Sequence, residues 1–386
     1  MENYDIISTM PDHILSHIMS FLPTKFAIST TILSKRWASP YKSLTSLNFN
    51  DESVDNEDAF LRFCRFVDKV TFYHPLIKTF ILECSSKHWE NGFHVQHLIS
   101  GEKRHHVENL QISCISLSIS NVERWIQLTT SIFIFPNLVV LKLTYCHVLG
   151  NIDFNLPALK TLHLNDVHFK NNYEFNKLIY GCAILEDLIA NIYYIGQVQD
   201  DTVSRREFET LSKLITADIN PLDLPFGAIT NVETLKLKVL DINLYSGEFS
   251  VFQNLINLEL YFHTFPHWDC VVELLQNCPN LQVLTIEKWE DECNQDLVTK
   301  WKDPSHVPKC ISSHLRSCTL ICQPFVDELR FAKYVLHNAP HLEVMDISIT
   351  DKLVPLSLRV LEEELNSVLA ISPKCKFSIS LKDIGL

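Results

Sequence analysis

The sequence predicts an α/β solenoid, and three observations predict it. An L-x-x-L-x-L pattern recurs along the middle of the chain. Helical periodicity fills several of the stretches between its copies. Ahead of them, residues 7–49 hold three short helical segments too small to bury a strong core alone, so they need a neighbour.

Composition sets the outer bounds. The chain has 386 residues, 46% of them hydrophobic, which is enough for a full core and for more than one unit or one long array. Its net charge is −13, the wrong sign for tracking phosphates, so no nucleic-acid partner is expected. Only 8 residues are glycine, which leaves little material for phosphate-cradling loops. The start, MENYDIISTM, is polar and acidic with no apolar signal core. No window offers the roughly 20 uncharged apolar residues of a membrane helix, so no membrane is expected. The 12 cysteines then read as reduced thiols of the cytoplasm or nucleus, packed as small hydrophobes.

The elements follow in order. Pro11 suits the first turn of a helix and Asp12 its positive end. Ile14, Leu15, Ile18, Phe21 and Leu22 recur at helical spacing, and Pro23 stops the segment. Thr24 is an N-cap for a second helix carrying Phe26, Ala27, Ile28, Ile32 and Leu33. Ser34 caps a third turn with Lys35, Arg36 and Trp37, ended by Pro40. An acidic bridge, residues 51–58, leads to a helix from Ala59 to Phe72 with a broad apolar face: Phe60, Leu61, Phe63, Phe66, Val67 and Val70. A strand at Leu76–Leu82, a helical piece at Phe93–Ile99 and a strand at Val107–Ile112 come next.

From there the repeat is overt: FPNLVVLKL from Phe135, LPALKTLHL from Leu156, CAILEDLIA from Cys182, FETLSKLIT from Phe208, ITNVETLKL from Ile229, FQNLINLEL from Phe252 and CPNLQVLTI from Cys278. APHLEVMDI from Ala339 is the last. Starts lie about 21 to 26 residues apart through Cys278, the leucine-rich-repeat period. Each copy makes one short strand with its leucines inward, and stacked copies share a continuous core. Helical stretches at Phe175–Cys182 and Val271–Cys278 line the convex side of an irregular horseshoe. On the concave side the non-leucine positions alternate outward: Lys142, His163, Lys236, Glu259, Tyr261, Thr285 and Glu287, with Thr144, Asn165, Lys238 and Asp346 beside them. This mixed-charge face suits a polar protein surface or peptide. Past the simple period come a strand (His314–Cys322), a helix (Val326–Asn338), a strand (Leu342–Ile349), a closing helix (Leu358–Leu369) and a last strand (Cys375–Leu381).

No catalytic signature is present: no G-x-S-x-G, no phosphate-binding loop, no H-E-x-x-H. His263 and His267 are split by Pro266, and His105 and His106 point different ways. Cys310, Cys318 and Cys322 lack zinc-ribbon spacing, and Cys182 and Cys278 sit in equivalent core positions. Neither metal nor cofactor is expected, and the chain itself is not expected to be an enzyme.

Residues 7–49 resemble an F-box. The matching residues are Met10-Pro11-Asp12, Ile14-Leu15, Ile18, Phe21 to Lys25, Ala27 and Leu33 to Trp37. Met10 stands where that family usually has Leu, and Pro40-Tyr41 where a Leu-Trp pair is common. The resemblance implies docking on the small adaptor subunit of a cullin–RING ubiquitin ligase through Pro11, Ile14, Leu15, Ile18, Leu22, Pro23, Ala27, Leu33 and Trp37. The C-terminal part resembles the FBD domain of plant F-box/leucine-rich-repeat proteins, through Val307-Pro308, Leu315, Cys318, Leu320, Glu328-Leu329, Tyr334 to Leu336 and Asn338-Ala339. The implied layout is an F-box over 5–50, a solenoid over 51–302 and an FBD unit with C-terminal cap over 303–386. The implied function is substrate recognition for an SCF-type ligase, with an unknown client protein on the concave face. The alternative is a leucine-rich-repeat scaffold without a ligase link, whose first helices only cap the solenoid.

Overall fold

The structure is a computed structural model. It describes residues 9–33, 35–85, 101–114, 125–151, 153–195, 210–239, 249–262, 268–288, 301, 304–322, 326–349 and 375–381. The expected helices at Phe93–Ile99 and Leu358–Leu369, the Ser34 cap, and His263 and His267 lie outside these. The chain forms two compact units, Met1–Asp200 and Asp201–Leu386.

The first unit begins with α1 (Asp12–Ser20), entered through Pro11 with Asp12 in its first turn. α1 ends at Ser20, earlier than the apolar spacing suggests. Phe21 and Leu22 sit in the tight turn behind it, their N–H groups donating to Ile18 O and Met19 O at 3.3 and 3.0 Å. α2 (Thr24–Leu33) starts on Thr24 itself. That hydroxyl does not cap the helix as expected: Thr24 Oγ1 accepts the Asn48 N–H at 2.8 Å and ties α2 to the first strand. A 3-10 turn (Lys35–Trp37) runs straight into α3 (Ala38–Lys42). Pro40 therefore does not end this segment. It is the third residue of α3, where a helix leaves its N–H groups unpaired anyway. Pro40 is buried, and its carbonyl accepts the Ser16 hydroxyl at 3.2 Å. Met19, Ala27 and Leu44 form a small core with Trp37 and Tyr41 packed against it.

β1 (Ser46–Asn50) follows at once, inside the span expected for the F-box, and pairs with β2 (Thr79–Cys84). Between them α4 (Glu57–Tyr73) is capped by Asn56, whose side chain accepts the Ala59 N–H at 2.9 Å; it buries Phe60, Cys64, Val67 and Thr71. β3 (Asn109–Cys114), β5 (Val140–Leu149), β6 (Thr161–Phe169) and β7 (Asp187–Tyr194) continue a parallel sheet in that order. β4 (Ile126–Thr129) pairs with the far half of β5. α5 (Asn172–Tyr180) joins β6 to β7, capped by Asn171.

The second unit repeats the scheme. β8 (Thr216–Ile219), β9 (Thr234–Val239), β10 (Asn257–Phe262), β11 (Val283–Lys288), β12 (Ser317–Cys322), β13 (Val344–Ile349) and β14 (Lys376–Leu381) are parallel neighbours in sequence order. α6 (Trp268–Gln276), α7 (Lys309–Ser313) and α8 (Val326–Asn338) lie between them in sequence. Trp268 stacks on Phe331 with ring centroids 4.6 Å apart, and Trp301 fits edge-on against both.

One burial rule runs through both units. Three apolar positions, spaced as in Leu138–Leu141–Leu143, enter the core at each rung: Leu159–Leu162–Leu164, Leu185–Leu188–Ala190, Leu255–Leu258–Leu260, Leu281–Leu284–Ile286 and Leu342–Met345–Ile347. The rule already holds at Leu44–Leu47–Phe49, Ile77–Phe80–Leu82 and Val107–Leu110–Ile112, ahead of the overt copies. One expected copy is out of frame. Ala217 of β8 pairs with Leu235, so the rung reads Leu214–Ala217–Ile219 and starts at Leu211, three residues after Phe208.

The joints between rungs are made by backbone. The residue just before each strand offers its carbonyl to two N–H groups of the next rung. Lys78 O takes Glu108 and Asn109 at 2.8 and 3.0 Å, Val139 O takes Lys160 and Thr161 at 2.9 and 3.0 Å, and Gln282 O takes Arg316 and Ser317 at 2.8 and 3.0 Å. Ion pairs decorate the same column at 2.8 Å: Lys78–Glu108, Lys160–Glu186 and Arg316–Glu343. All are well exposed, so they contribute little to stability.

Candidate functional site

Two surfaces carry the predicted residues. The first is the amino-terminal helix set. Leu15 and Met19 are buried, Met19 in the small core, and Ile14 and Ile18, on another face of α1, stay exposed. Leu22 and Phe21 extend that exposure past the helix end, and Phe26 and Ile32 add to it from α2, at 59% and 84% exposed. Of the residues matching the adaptor-docking pattern, Pro11, Ile14, Ile18, Leu22 and Pro23 lie at the surface. Leu15 and Ala27 are buried, and Trp37 is half-buried against Met19, Ala27 and Leu44. The Leu33 side chain lies outside the described residues. Phe21, Phe26 and Ile32 were not among the proposed docking positions, although their apolar character in so small a helix set is a signal in itself. A surface with this many exposed large apolar groups marks an interaction site.

The second surface is the outward face of the strands. In the second unit the predicted Lys236, Glu259, Thr285 and Asp346 fall on one line across the sheet, with Asp218, Thr319 and Ser378, which were not predicted, as the other successive partners. Lys238, Tyr261 and Glu287 form the next line. These groups satisfy one another. Lys236 Nζ meets Glu259 Oε2 at 2.8 Å, Lys238 meets Asp218 at 3.4 Å, and the Tyr261 hydroxyl donates to Glu259 at 2.7 Å. Burial, and then Glu259, hold that phenol well above its ordinary value, so it remains a donor.

In the first unit Lys142 and His163 are register partners, both half-buried. His163 Nε2 lies 2.7 Å from Asp187 Oδ2 on β7. Beyond them the strands run on. β5 and β6 each carry one extra residue at the same level, Tyr145 and Asp166, both with φ of 52°. This left-handed conformation is uncommon outside glycine, and rarer still for a bulky ring. The bulges keep Cys146, Val148, Val167 and Phe169 in the core and turn His147 and His168 outward. Trp125, just before β4, stacks on His168 with centroids 3.9 Å apart and lies 5.6 Å from Tyr145. His168 also meets His147 at 5.1 Å and Tyr193 of β7 at 5.2 Å. Burial, and then His168, push the His147 imidazole below its ordinary value. None of these five was proposed from sequence. The alternation that would have found them is broken by one residue in each strand.

The thiols are quiet. Cys84, Cys114, Cys146, Cys182, Cys278, Cys310 and Cys318 are buried and in no disulfide. Burial pushes Cys182, Cys310 and Cys318 up to about 12, so they are protonated and unreactive. Among the described residues no three His, Cys, Asp or Glu side chains are grouped to hold a metal ion. No helix there is long and apolar enough to cross a membrane.

Comparisons with known proteins bear on both ends of the chain. The F-box domain family matches residues 7–39, and the FBD family matches residues 302–347. An F-box/FBD/LRR-repeat protein of Arabidopsis thaliana is 27% identical over 97% of this chain and 94% of its own length. An FBD-associated F-box protein of the same plant is 28% identical over 97% of this chain and 100% of its own. Among solved structures, an LRR protein of Leptospira interrogans covers 90% of this chain and 87% of its own at 14% identity, with a TM-score of 0.38. That likeness is too slight to argue from, and the repeat architecture rests on the strand register and burial rule described above. The chain therefore carries an F-box at its amino end and an FBD at its carboxyl end, in the order of the plant F-box/FBD/LRR-repeat proteins to which it is similar over nearly its whole length.

Proposed function

We propose that this chain is the substrate-recognition subunit of an SCF-type cullin–RING ubiquitin ligase. In this reading α1, α2 and the Lys35–Lys42 segment are the three helices of the F-box and dock on the small adaptor subunit. The parallel strands are an irregular leucine-rich-repeat horseshoe, closed by the FBD unit, over the spans 5–50, 51–302 and 303–386. The strand face holds a client protein, in the cytoplasm or nucleus. The chain does no chemistry: binding raises the effective concentration of a client lysine near the ubiquitin-charged partner.

The observation that carries the reading is the division of labour within the F-box. Met19, Ala27 and Leu44 supply the internal core and Leu15 is buried as well, while Ile14, Ile18, Phe21, Leu22, Phe26 and Ile32 are left exposed. A mere cap would turn such residues inward. The test is co-purification of the full chain with the adaptor. The wild-type chain binds it, and an Ile18→Asp, Leu22→Asp double variant does not. A wild-type chain that never captures the adaptor sinks the ligase reading and leaves the non-ligase scaffold.

A further inference from the structure

The ligase reading says that the strand face holds a client but not where, or by what chemistry. We propose that the client docks on the cluster of Trp125, Tyr145, His147, His168 and Tyr193 through a basic side chain, arginine or lysine. This inference rests on the reading of the chain as a receptor and deepens it.

Three observations converge on the cluster. The first is strain. Non-glycine residues in the left-handed region are strained, and such strain gathers at ligand sites. Tyr145 and Asp166 adopt it side by side on neighbouring strands, while β7 passes the same level with no extra residue, Asn191 being followed directly by Ile192. The bulges let the core set continue past them while shifting the outward positions. On the outward side they present His147 and His168 beside two tyrosines and a tryptophan.

The second is an unmet polar atom. His147 Nε2 is buried with no hydrogen-bond partner among the described residues. A neutral imidazole can accept an N–H there, and a guanidinium or ammonium supplies one.

The third is charge. The groups facing the cluster from the elements around it are Gln127 on β4, Thr144 and Lys142 on β5, His163, Asn165 and Asp166 on β6, and Asp187 and Asn191 on β7. Asp166 Oδ1 accepts the Asn191 side-chain N–H at 2.9 Å, which holds a carboxylate beside Tyr145. Lys142 precedes the bulge, and Lys170, past the end of β6, donates to Asn151 Oδ1 at 3.1 Å. Aromatic faces and the unmet His147 acceptor attract a cation, and Lys142 is set against two carboxylates, Asp166 and Asp187. The net charge of −13 steers a basic partner to the molecule in the first place. The strand face of the second unit lacks this character, because its lysines and carboxylates already neutralise one another.

The test uses the full chain and three peptide pools with randomised flanks and a fixed central arginine, glutamate or leucine. At neutral pH and physiological ionic strength the arginine pool is retained about tenfold better than the other two. Tyr193→Ala, at the most exposed member of the cluster, and Trp125→Ala each remove that preference, while Lys236→Ala in the second unit does not. A circular-dichroism melt identical to wild type certifies the Tyr193 variant as folded. Preference for the glutamate or leucine pool overturns the inference, and so does an arginine preference untouched by Tyr193→Ala. Adaptor co-purification run on the same proteins separates the claims. An intact adaptor contact with no arginine preference sinks this inference alone, and a wild-type chain without the adaptor sinks the ligase reading alone.

Discussion

Tyr41 meets His74 edge to face, with ring centroids 5.7 Å apart and planes at 85°. Tyr41 packs against the small core of Met19, Ala27 and Leu44, and His74 is the residue that ends α4, so this contact joins the amino-terminal helices to the first rungs of the sheet. His74 Nδ1 lies 3.1 Å from Leu76 O, and the ring is buried. Burial is the main cause that holds this imidazole below its ordinary value.

The sign of the pH effect follows. A histidine with a lowered folded value takes up its proton more readily once unfolded. Its contribution is fully present above the unfolded value of about 6.5 and is lost as pH falls toward the folded value. Thermal unfolding should therefore show the melting temperature falling between about pH 7 and about pH 5. His74→Gln should make that fall shallower, with His147 accounting for part of the remainder. An unchanged slope in the variant would remove His74 from the account.

Within the F-box, core and contact should separate cleanly. Leu15→Ala should cost about 2–5 kcal/mol of stability, as core truncations do. Ile18→Ala, at 39% exposure, should change stability by no more than about 0.5 kcal/mol yet weaken adaptor capture. Denaturation and pull-down on the same two proteins check it. Equal losses of stability would mean that α1 faces the other way.

The same contrast applies along the strands. Leu162→Ala or Leu258→Ala should each cost about 2–5 kcal/mol. His163→Ala, one residue on, should cost about 0–1 kcal/mol, because its pairing with Asp187 is partly exposed. Chemical denaturation would measure all three.

What could be read from the sequence depends on which residues carried the signal. Leucine-bearing rungs such as Leu138–Leu141–Leu143 declare themselves. The rung at Leu214–Ala217–Ile219 does not: Leu211 and Leu214 fit the pattern in either of two frames, and alanine is too small to choose between them. The rungs at Ile77–Phe80–Leu82 and Val107–Leu110–Ile112 read as strands but not as copies of the repeat, because Ile77, Val107 and Leu138 lie 30 and 31 residues apart, outside the shorter period of the overt copies. At the F-box, a family match fixes positions but not facing. Leu15 and Ala27 match the docking pattern and yet are buried, since three short helices need apolar groups for themselves. The aromatic cluster was hidden because two bulges shift the alternation where it begins.

Gly181 is there for room. Its φ of −73° is open to any residue, but a Cβ would fall 1.7 Å from the Phe154 ring. Gly181→Ala should cost about 1–3 kcal/mol by overpacking. Adding Phe154→Ala should recover part of that loss, which a double-mutant cycle in denaturant would show.

The carbonyls that each take two N–H groups from the next rung have one further consequence. Those joints are built from main chain, so they ask nothing of side-chain identity beyond a small inward set. Mutation can rewrite the outward positions of a strand while the frame on either side still closes. A chain assembled this way is free to change what it recognises faster than it changes its shape.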